Sequence, residues 1–500
     1  MNRRRFLKTA GLGAASLALR GPAIGAARRT AKKPGRPNLL IIHTDQLSSW
    51  AVSIYAKQLT RTPNYGKVLV ETPNIDALAR RGAILNNFFT NSAVCTPSRG
   101  CLLTGRYPHS HGAYRNNIEL NRDEITIAEV LRRAGYDTGY AGKWHLDGPP
   151  KPGWMKPQRS MGFSDCRFMF NRGHWKKIVD QPDGPPKVSP YKVIGDEKTF
   201  TTDWLADKTI EFLEKDRNAP FFYLVSIPDP HGPYTVREPY MSMYDPRDMT
   251  IPNTLKKSSP GAKRGTAESR LRLNKARYCG LVKCIDHNVG RIVAALKGKS
   301  LLDKTIILFT TDHGDYMGEH GLYGKNQWYR TAYQLPFIIR WPEKIRPGTV
   351  VDSFVNNIDV QQTLLGLMGI EPSGREQGRD ASPLLCGQKV DWPNEAMIHH
   401  SSLKSAGIFT PDYELVLTDN GRHMLFDRIK DPEQTENLFA KPPHAATVRN
   451  LAARILQHHK EVNSPALSWL EPEVKKLTPD PCPFGPLSAQ STRRNKPVPS

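Results

Sequence analysis

Apolar residues along this chain follow two rhythms. Asn38-Leu39-Leu40-Ile41-Ile42-His43-Thr44, Phe221-Phe222-Tyr223-Leu224-Val225-Ser226-Ile227 and Thr305-Ile306-Ile307-Leu308-Phe309-Thr310-Thr311 are near-continuous apolar runs. Such runs are the pattern of strands buried on both faces. Between them lie amphipathic segments of helical period, and the alternation predicts an α/β layered sheet. Thr72-Pro73-Asn74 reads as a helix start with a capping hydroxyl and proline at the first helical position, and Gly82 as its stop. Thr126 followed by Glu129 reads as a capping box before a helix that Gly135 ends. Residues 267–298 predict one long helix and 357–369 another.

Beyond 385 the texture changes. Tyr413 to Thr418 and His423 to Ile429 flank Asp419-Asn420-Gly421, a hairpin turn signal, and a helix follows over 443–461. The expected organisation is a catalytic body over 36–385, an α+β subdomain over 386–475 and a disordered Pro-rich, basic tail over 476–500. No internal repeat is visible.

The first 27 residues are not fold. Arg3-Arg4-Arg5-Phe6-Leu7-Lys8 precedes a weakly apolar run from Ala10 to Leu19, then small residues from Ala23 to Ala27. This is a twin-arginine export signal, which implies the twin-arginine translocase as a partner and a periplasmic or extracellular destination. The run is too short to span a bilayer and no other stretch is long enough, so an integral membrane protein is not expected.

Seven cysteines in 500 residues are too few and too scattered for a disulfide framework. Cys279 and Cys284, five apart in a helix, are expected as buried thiols on different faces. The formal charge is +23; Arg3, Arg4, Arg5, Lys8 and Arg20 carry five charges with no acid in the first 27 residues, leaving +18 on the remainder. That field favours anionic partners. No nucleic-acid motif is present and the basic residues are dispersed, so nucleic acid is set aside. An anionic substrate and simple solubility fit the charge equally well.

The strands end on chemistry. The first runs into Asp45-Gln46, the run at 305–311 into Asp312-His313, the run at 221–227 leads to His231, and Tyr136 to Ala141 leads to Lys143 and His145. Ligands of open α/β sheets bind at the carboxyl ends of strands. Any one of these residues has an ordinary reading as a turn or cap; four segments converging on one edge do not. Asp45, Gln46 and Asp312 offer hard oxygens and His313 a nitrogen, a set suited to a calcium- or magnesium-like ion.

The sharpest segment is Cys95-Thr96-Pro97-Ser98-Arg99, continuing Gly100-Cys101-Leu102-Leu103-Thr104-Gly105-Arg106. By average residue usage, Cys-x-Pro-Ser-Arg arises by chance in such a length on the order of a few times in a thousand. This segment resembles the sulfatase signature. Gly135-Tyr136-Asp137-Thr138-Gly139-Tyr140-Ala141-Gly142-Lys143-Trp144-His145 is similar to the family's second signature. Thr72-Pro73-Asn74-Ile75-Asp76, Asp312-His313-Gly314, Gly318-Glu319-His320-Gly321 and, further on, Asp431-Pro432-Glu433 with Glu436-Asn437-Leu438 match further blocks, in order, across residues 36–440.

The resemblance implies an alkaline-phosphatase-like sandwich, with a large mixed sheet between helices and a small C-terminal α+β subdomain. It implies a sulfuric ester hydrolase whose Cys95 is oxidised to formylglycine by a formylglycine-generating enzyme, then hydrated to a geminal diol that gives covalent catalysis with a built-in second step. On this reading Asp45, Gln46, Asp312, His313 and residue 95 hold one divalent ion, calcium the first candidate. Arg99 steadies the diol and Lys143 and Lys325 grip sulfate oxygens. His145 is the base for the second hydroxyl, and His231 the acid for the leaving oxygen.

Two departures stand out: many relatives carry Asp where Gln46 stands and Asn where His313 stands. Gln46 leaves two formal negative charges among the protein ligands instead of three. A third departure, Tyr329-Arg330 where Tyr-Glu is common, puts a role for position 330 in doubt. A phosphonate or phosphodiester hydrolase of the same superfamily is the competing enzyme reading, and a non-catalytic binder of sulfated glycans would follow if Cys95 stayed unmodified. Residues 146–200 and 229–265 read as irregular, substrate-facing loops. Their Lys151, Lys156, Arg159, Arg172, Lys176 and Lys177 point to O-sulfate on a carbohydrate oligomer as substrate.

Overall fold

The computed structural model describes residues 35–58, 67–149, 153–190, 192–257 and 264–477. The export signal, Lys151 and most of the basic tail lie outside them.

The apolar runs form the centre of a nine-stranded sheet. In chain order its main strands are β1 (Asn38–Asp45), β2 (Ala83–Phe89), β3 (Asp137–Lys143), β4 (Asp165–Phe170), β5 (Phe221–Pro230), β6 (Thr305–Thr311), β7 (Phe337–Arg340) and β8 (Thr349–Asn356). They lie in the order β8-β2-β7-β6-β1-β5-β3-β4, with the short strand Gln334–Leu335 paired to β2. β1 runs parallel to both β5 and β6, and β3 parallel to β5 and β4. β7 is antiparallel to both its neighbours, β6 and β2. The carboxyl ends of β1, β2, β3, β5 and β6 therefore share one edge.

Period-2 alternation divides the core. Leu39 and Ile41 of β1 face one apolar layer and Leu40 and Ile42 the other. The second layer is roofed by α1 (Pro73–Arg80), α4 (Thr201–Glu214) and the 35-residue α5 (Arg264–Gly298), which buries Cys279, Val282, Ile285 and Val289. The first is roofed by α2 (Cys95–Thr104), α3 (Ile127–Arg133) and α6 (Asp359–Met368). Cys279 and Cys284 are both fully buried, in different apolar clusters for Cys279 and Cys284, as their spacing requires.

An antiparallel sheet of β9 (Ala396–His399), β10 (Ser405–Phe409), β11 (Tyr413–Thr418) and β12 (Met424–Asp427) follows. One face packs on α7 (Ala445–Glu461) and α8 (Leu467–Leu477) through Ile408, Leu415, Leu451 and Ile455. The other places Ile398, Phe409 and Val416 against Phe89 and Phe354 of the large sheet.

Three local readings need correction. Thr72 sits at the N-cap of α1, but its hydroxyl makes no cap bond. It accepts from the Ser53 backbone N–H (2.9 Å) and donates to Asp76 (3.0 Å), which ties the helix to the preceding turn. Thr126 does cap α3 by accepting from the Glu129 N–H, whereas the Glu129 carboxylate turns to Arg132 and Arg133 instead of closing the box. Residues 146–200 are not wholly irregular, because β4 adds an edge strand there.

Candidate active site

Five strand ends and one helix start bring the site together. Asp45 closes β1 and Asp312 follows β6; their carboxylates are fully buried and share one guanidinium. Arg99 donates from Nε to Asp312 (3.0 Å), from one terminal nitrogen to Asp45 (2.9 Å), and from the other to the Lys143 carbonyl (2.8 Å) and the Ser226 hydroxyl (2.7 Å). Its charge is thereby balanced within the protein: burial opposes the charged form, but Asp312 and Asp45 outweigh it and hold the guanidinium firmly protonated. Gly142 makes this approach feasible: at φ +103°, a Cβ would lie 1.9 Å from the Ser226 carbonyl of the adjacent strand.

Cys95 opens α2, its sulfur 3.2 Å from His313 Nε2 and 3.8 Å from Asp45 Oδ1. Lys325 and Lys143 bring their ammonium groups to 3.5 and 3.7 Å of the same sulfur. Burial and Asp45 push the thiol up, but Lys143, Lys325 and His313 outweigh them and hold it well below the usual thiol value.

The acidic donors converge. Ligand atoms of Asp45, Cys95, Asp312 and His313 lie within 4.8 Å of one another, all four residues buried. Gln46 follows Asp45 in the left-handed region at φ +67°, and its backbone N–H donates to Asp312 (3.0 Å). Its Nε2 donates to Asp315, so its Oε1 is the atom that accepts from Lys325 (2.7 Å). Two carboxylate groups, an amide oxygen and an imidazole nitrogen form a donor set that fits a hard divalent ion.

Lys143 and Lys325 mirror each other. Lys143 donates to Asp45 and to His174 Nε2 (3.0 Å); Lys325 donates to Gln46 and to His231 Nε2 (2.9 Å). The two imidazoles stack face to face, with centroids 3.8 Å apart and planes 5° from parallel. Burial, then Lys325 and Lys143 against the opposing pull of Asp45, lowers His231 to about 3. Burial, Lys143 and His231 hold His174 well below the ordinary histidine value.

His145 is buried in the left-handed region at φ +59°, and neither ring nitrogen has a hydrogen-bond partner among the described residues. Its carbonyl accepts from the hydroxyl of Thr96 (2.8 Å), the residue next to Cys95. Burial, Lys143 and Arg99 keep the ring neutral.

The structure thus gathers every residue singled out from the sequence: Asp45, Gln46, Cys95, Arg99, Lys143, His145, His231, Asp312, His313 and Lys325. An open cleft of about 390 Å³, lined by Gln46, Asn116, His231, Tyr234 and Lys325, leads into them. His174 and Asp315 were not anticipated. His174 follows β4, so recognising that strand would have put it on the same sheet edge; Asp315 lies three residues past Asp312. Arg330 lies away from this cleft, beside Glu414 (3.8 Å) and with its N–H on Gln434. Of the loop cations, Lys176 is buried in a pair with Asp229, and Arg159 is paired with Asp147 (2.6 Å) and Glu119 (3.1 Å), so neither is free for substrate.

The sulfatase family profile matches residues 37–370, and that of the N-sulphoglucosamine sulphohydrolase C-terminal region matches 318–461. An ulvan-active sulfatase of Formosa agariphila is 29% identical over 85% of this chain and 81% of its own. An N-acetylglucosamine-6-O-sulfatase of Bacteroides thetaiotaomicron is 27% identical over 85% and 87%. Among solved structures, a phosphonate monoester hydrolase of Agrobacterium radiobacter superposes with a TM-score of 0.71 at 25% identity, covering 85% of this chain and 96% of that one.

Proposed function

From the premise that this chain belongs to the sulfatase family, whose enzymes hydrolyse sulfate esters, we propose that it removes O-sulfate from a carbohydrate, using formylglycine made from Cys95 and one divalent metal. The observation that carries this is the pair of ammonium groups, 3.5 and 3.7 Å from the Cys95 sulfur, which itself belongs to a buried donor cluster with Asp45, Asp312 and His313.

Oxidised and hydrated, residue 95 supplies an oxygen nucleophile and a second hydroxyl through which sulfate can leave. Asp45, Gln46, Asp312 and His313 would hold the ion, calcium by the preponderance of oxygen donors, and it would offset negative charge on ester and nucleophile. Arg99, already committed to Asp45 and Asp312, fixes both carboxylates. Lys143 and Lys325 each keep one N–H for the sulfuryl oxygens, where charge develops. His145 is neutral and unpartnered, the state required of a base. His231 accepts from Lys325 in the free enzyme; an anionic ester neutralises that ammonium and raises the imidazole towards the range of a general acid.

Further proposals follow the family reading. Residues 36–385 form the catalytic unit and 386–475 the C-terminal subdomain. Residues 1–27 direct export through the twin-arginine translocase, after a formylglycine-generating enzyme has acted on the unfolded Cys95 segment. Among the described residues no helix is long and apolar enough to cross a membrane. The relatives named for ulvan and N-acetylglucosamine-6-O-sulfate support a sulfated carbohydrate as substrate.

The competing reading, phosphonate or phosphodiester hydrolysis, draws its support from the likeness to the Agrobacterium structure. Comparing kcat/KM for a sulfated oligosaccharide and a phenyl phosphonate ester decides between them; phosphonate preference overturns the sulfatase reading. A tryptic peptide bearing unmodified Cys95 in fully active protein overturns the formylglycine proposal.

A further inference from the structure

We propose that His174 is a positioning residue that aims Lys143, as Gln46 and His231 together aim Lys325. The proposal rests on the reading of Lys143 as a group that grips the ester.

An ammonium has three N–H bonds in fixed tetrahedral directions and no lone pair. Lys143 spends one on Asp45 and one on His174 Nε2 (3.0 Å), and the remainder faces the Cys95 sulfur at 3.7 Å. Lys325 has the same three kinds of neighbour: a donor-set oxygen, Gln46 Oε1 (2.7 Å), an imidazole Nε2, that of His231 (2.9 Å), and the Cys95 sulfur (3.5 Å). With two acceptors fixed, the direction of the third N–H is set. With one acceptor, the torsion about Cε–Nζ and the flexible stem are held by a single bond, and the third N–H is less firmly aimed. Because lysine can only donate, His174 Nε2 must be the acceptor, which places its ring proton on Nδ1.

The loop is built to hold this ring. His174 follows β4 by four residues, and the Asn171 carbonyl accepts from the His145 N–H (2.7 Å). Trp175 packs on Phe170 with centroids 4.8 Å apart. Gly173 at φ +146° lets the chain pass the Trp175 ring, which a Cβ would meet at 2.6 Å. One face of His174 is covered by the stacked His231 ring, 3.8 Å away, and its Nε2 is tied to Lys143, so the ring is held by stacking and by a hydrogen bond.

His174→Gln keeps an acceptor without the stacking ring, and His174→Phe keeps a stacking ring without the acceptor. Both are compared with the parent on 4-nitrophenyl sulfate, after melting temperature and bound metal have been matched. The expected result is a loss in kcat of about 10–100-fold for His174→Phe, the range found when a group that orients a ligand is removed. KM should change less, inorganic sulfate should inhibit His174→Phe more weakly than the parent, and His174→Gln should exceed His174→Phe by tenfold or more in kcat. A smaller gap, or His174→Phe equal to His174→Gln, overturns the role. A parent enzyme that cleaves phenyl phosphonate and not the sulfate ester would overturn the sulfatase reading instead, and the same Gln–Phe contrast would then be read on the phosphonate.

Discussion

The side-chain amide of Gln46 donates to the Asp315 carboxylate and, from its other end, accepts from Lys325 at 2.7 Å. Asp315 is itself fully buried and takes a further bond from the Tyr234 hydroxyl (2.6 Å). A carboxylate at position 46 would face a second buried carboxylate, so the amide there is the choice that the neighbour imposes. Gln46→Asp should therefore weaken metal retention by about 10–100-fold. The double variant Gln46→Asp with Asp315→Asn should regain most of it, since the buried pair again holds one carboxylate and one amide. Metal titration of the three proteins checks this; double-variant losses that simply add would refute the coupling.

Cys95→Ala should reduce turnover by about four orders of magnitude or more, since single members of a catalytic unit carry nearly all its rate. Because Cys95 is enclosed by charged neighbours rather than apolar ones, the fold should persist. Circular dichroism and a sulfatase assay on purified protein decide it. Residual activity near the parent level would remove residue 95 from the mechanism.

Asp312 carries two duties: it accepts from Arg99 and from the Gln46 N–H, and it faces the donor cluster. Asp312→Ala should lose the bound metal and, by leaving a buried guanidinium half-paired, cost about 3–5 kcal/mol of stability. Elemental analysis alongside denaturant unfolding tests both halves. Metal retained at parental stoichiometry would exclude Asp312 as a ligand.

Much of this site was legible because each signal was local. The strand runs ending in Asp45 and Asp312 obey the rule that parallel strands deliver ligands at their carboxyl ends, and the Cys95 to Arg99 segment carries its meaning in five adjacent residues. What was not legible depends on tertiary pairing. β2, β7 and β8 are short or partly polar and acquire their strand form from neighbours; α2 hides a helix inside a catalytic motif of weak amphipathicity. His174 is one histidine in a stretch with no period. Only the pairing of β4 with β3, at Lys143 opposite Phe170, brings it to Lys143. The loop charges failed differently: counting Lys176 and Arg159 as substrate cations ignored that acids distant in sequence would claim them.

Four histidines meet where β9 and α7 approach the segment after α2: His399, His458, His459 and His109, with Tyr107 stacked among them. His399 and His458 place their Nε2 atoms 3.1 Å apart. Burial first, then mutual repulsion and Arg379, lowers His458 to about 3; burial with His458 and His109 does the same for His459. A histidine depressed in the fold binds fewer protons than the unfolded chain, so its stabilising effect is complete above 6.5 and is lost as pH falls from 6.5 towards 3. The loss at pH 5 is of order 1–2 kcal/mol for each of the two rings. Melting temperature should fall between pH 7 and 5, with a shallower slope in His459→Leu. An equal slope would show that other groups set the acid limit.

The last prediction concerns the ester that enters the cleft. With Lys176 and Arg159 internally paired, fewer of the loop cations are left for a substrate than the sequence suggests: Lys156 is exposed, and Arg172 and Lys177 are half-buried. Yet the chain still carries +18 outside its first 27 residues, and a polyanionic glycan interacts with that field at every repeat whereas a single aryl sulfate does so once. The rate at low substrate should therefore fall with added salt more steeply for a sulfated oligosaccharide than for 4-nitrophenyl sulfate, because exposed charges are screened beyond about 8–10 Å at physiological ionic strength. Lys156→Glu with Lys177→Glu should lower oligosaccharide kcat/KM several-fold and flatten its salt slope, and leave the aryl sulfate nearly unchanged. Equal salt slopes for the two substrates would mean that the surface charge serves solubility, and that selectivity resides wholly in contacts inside the cleft.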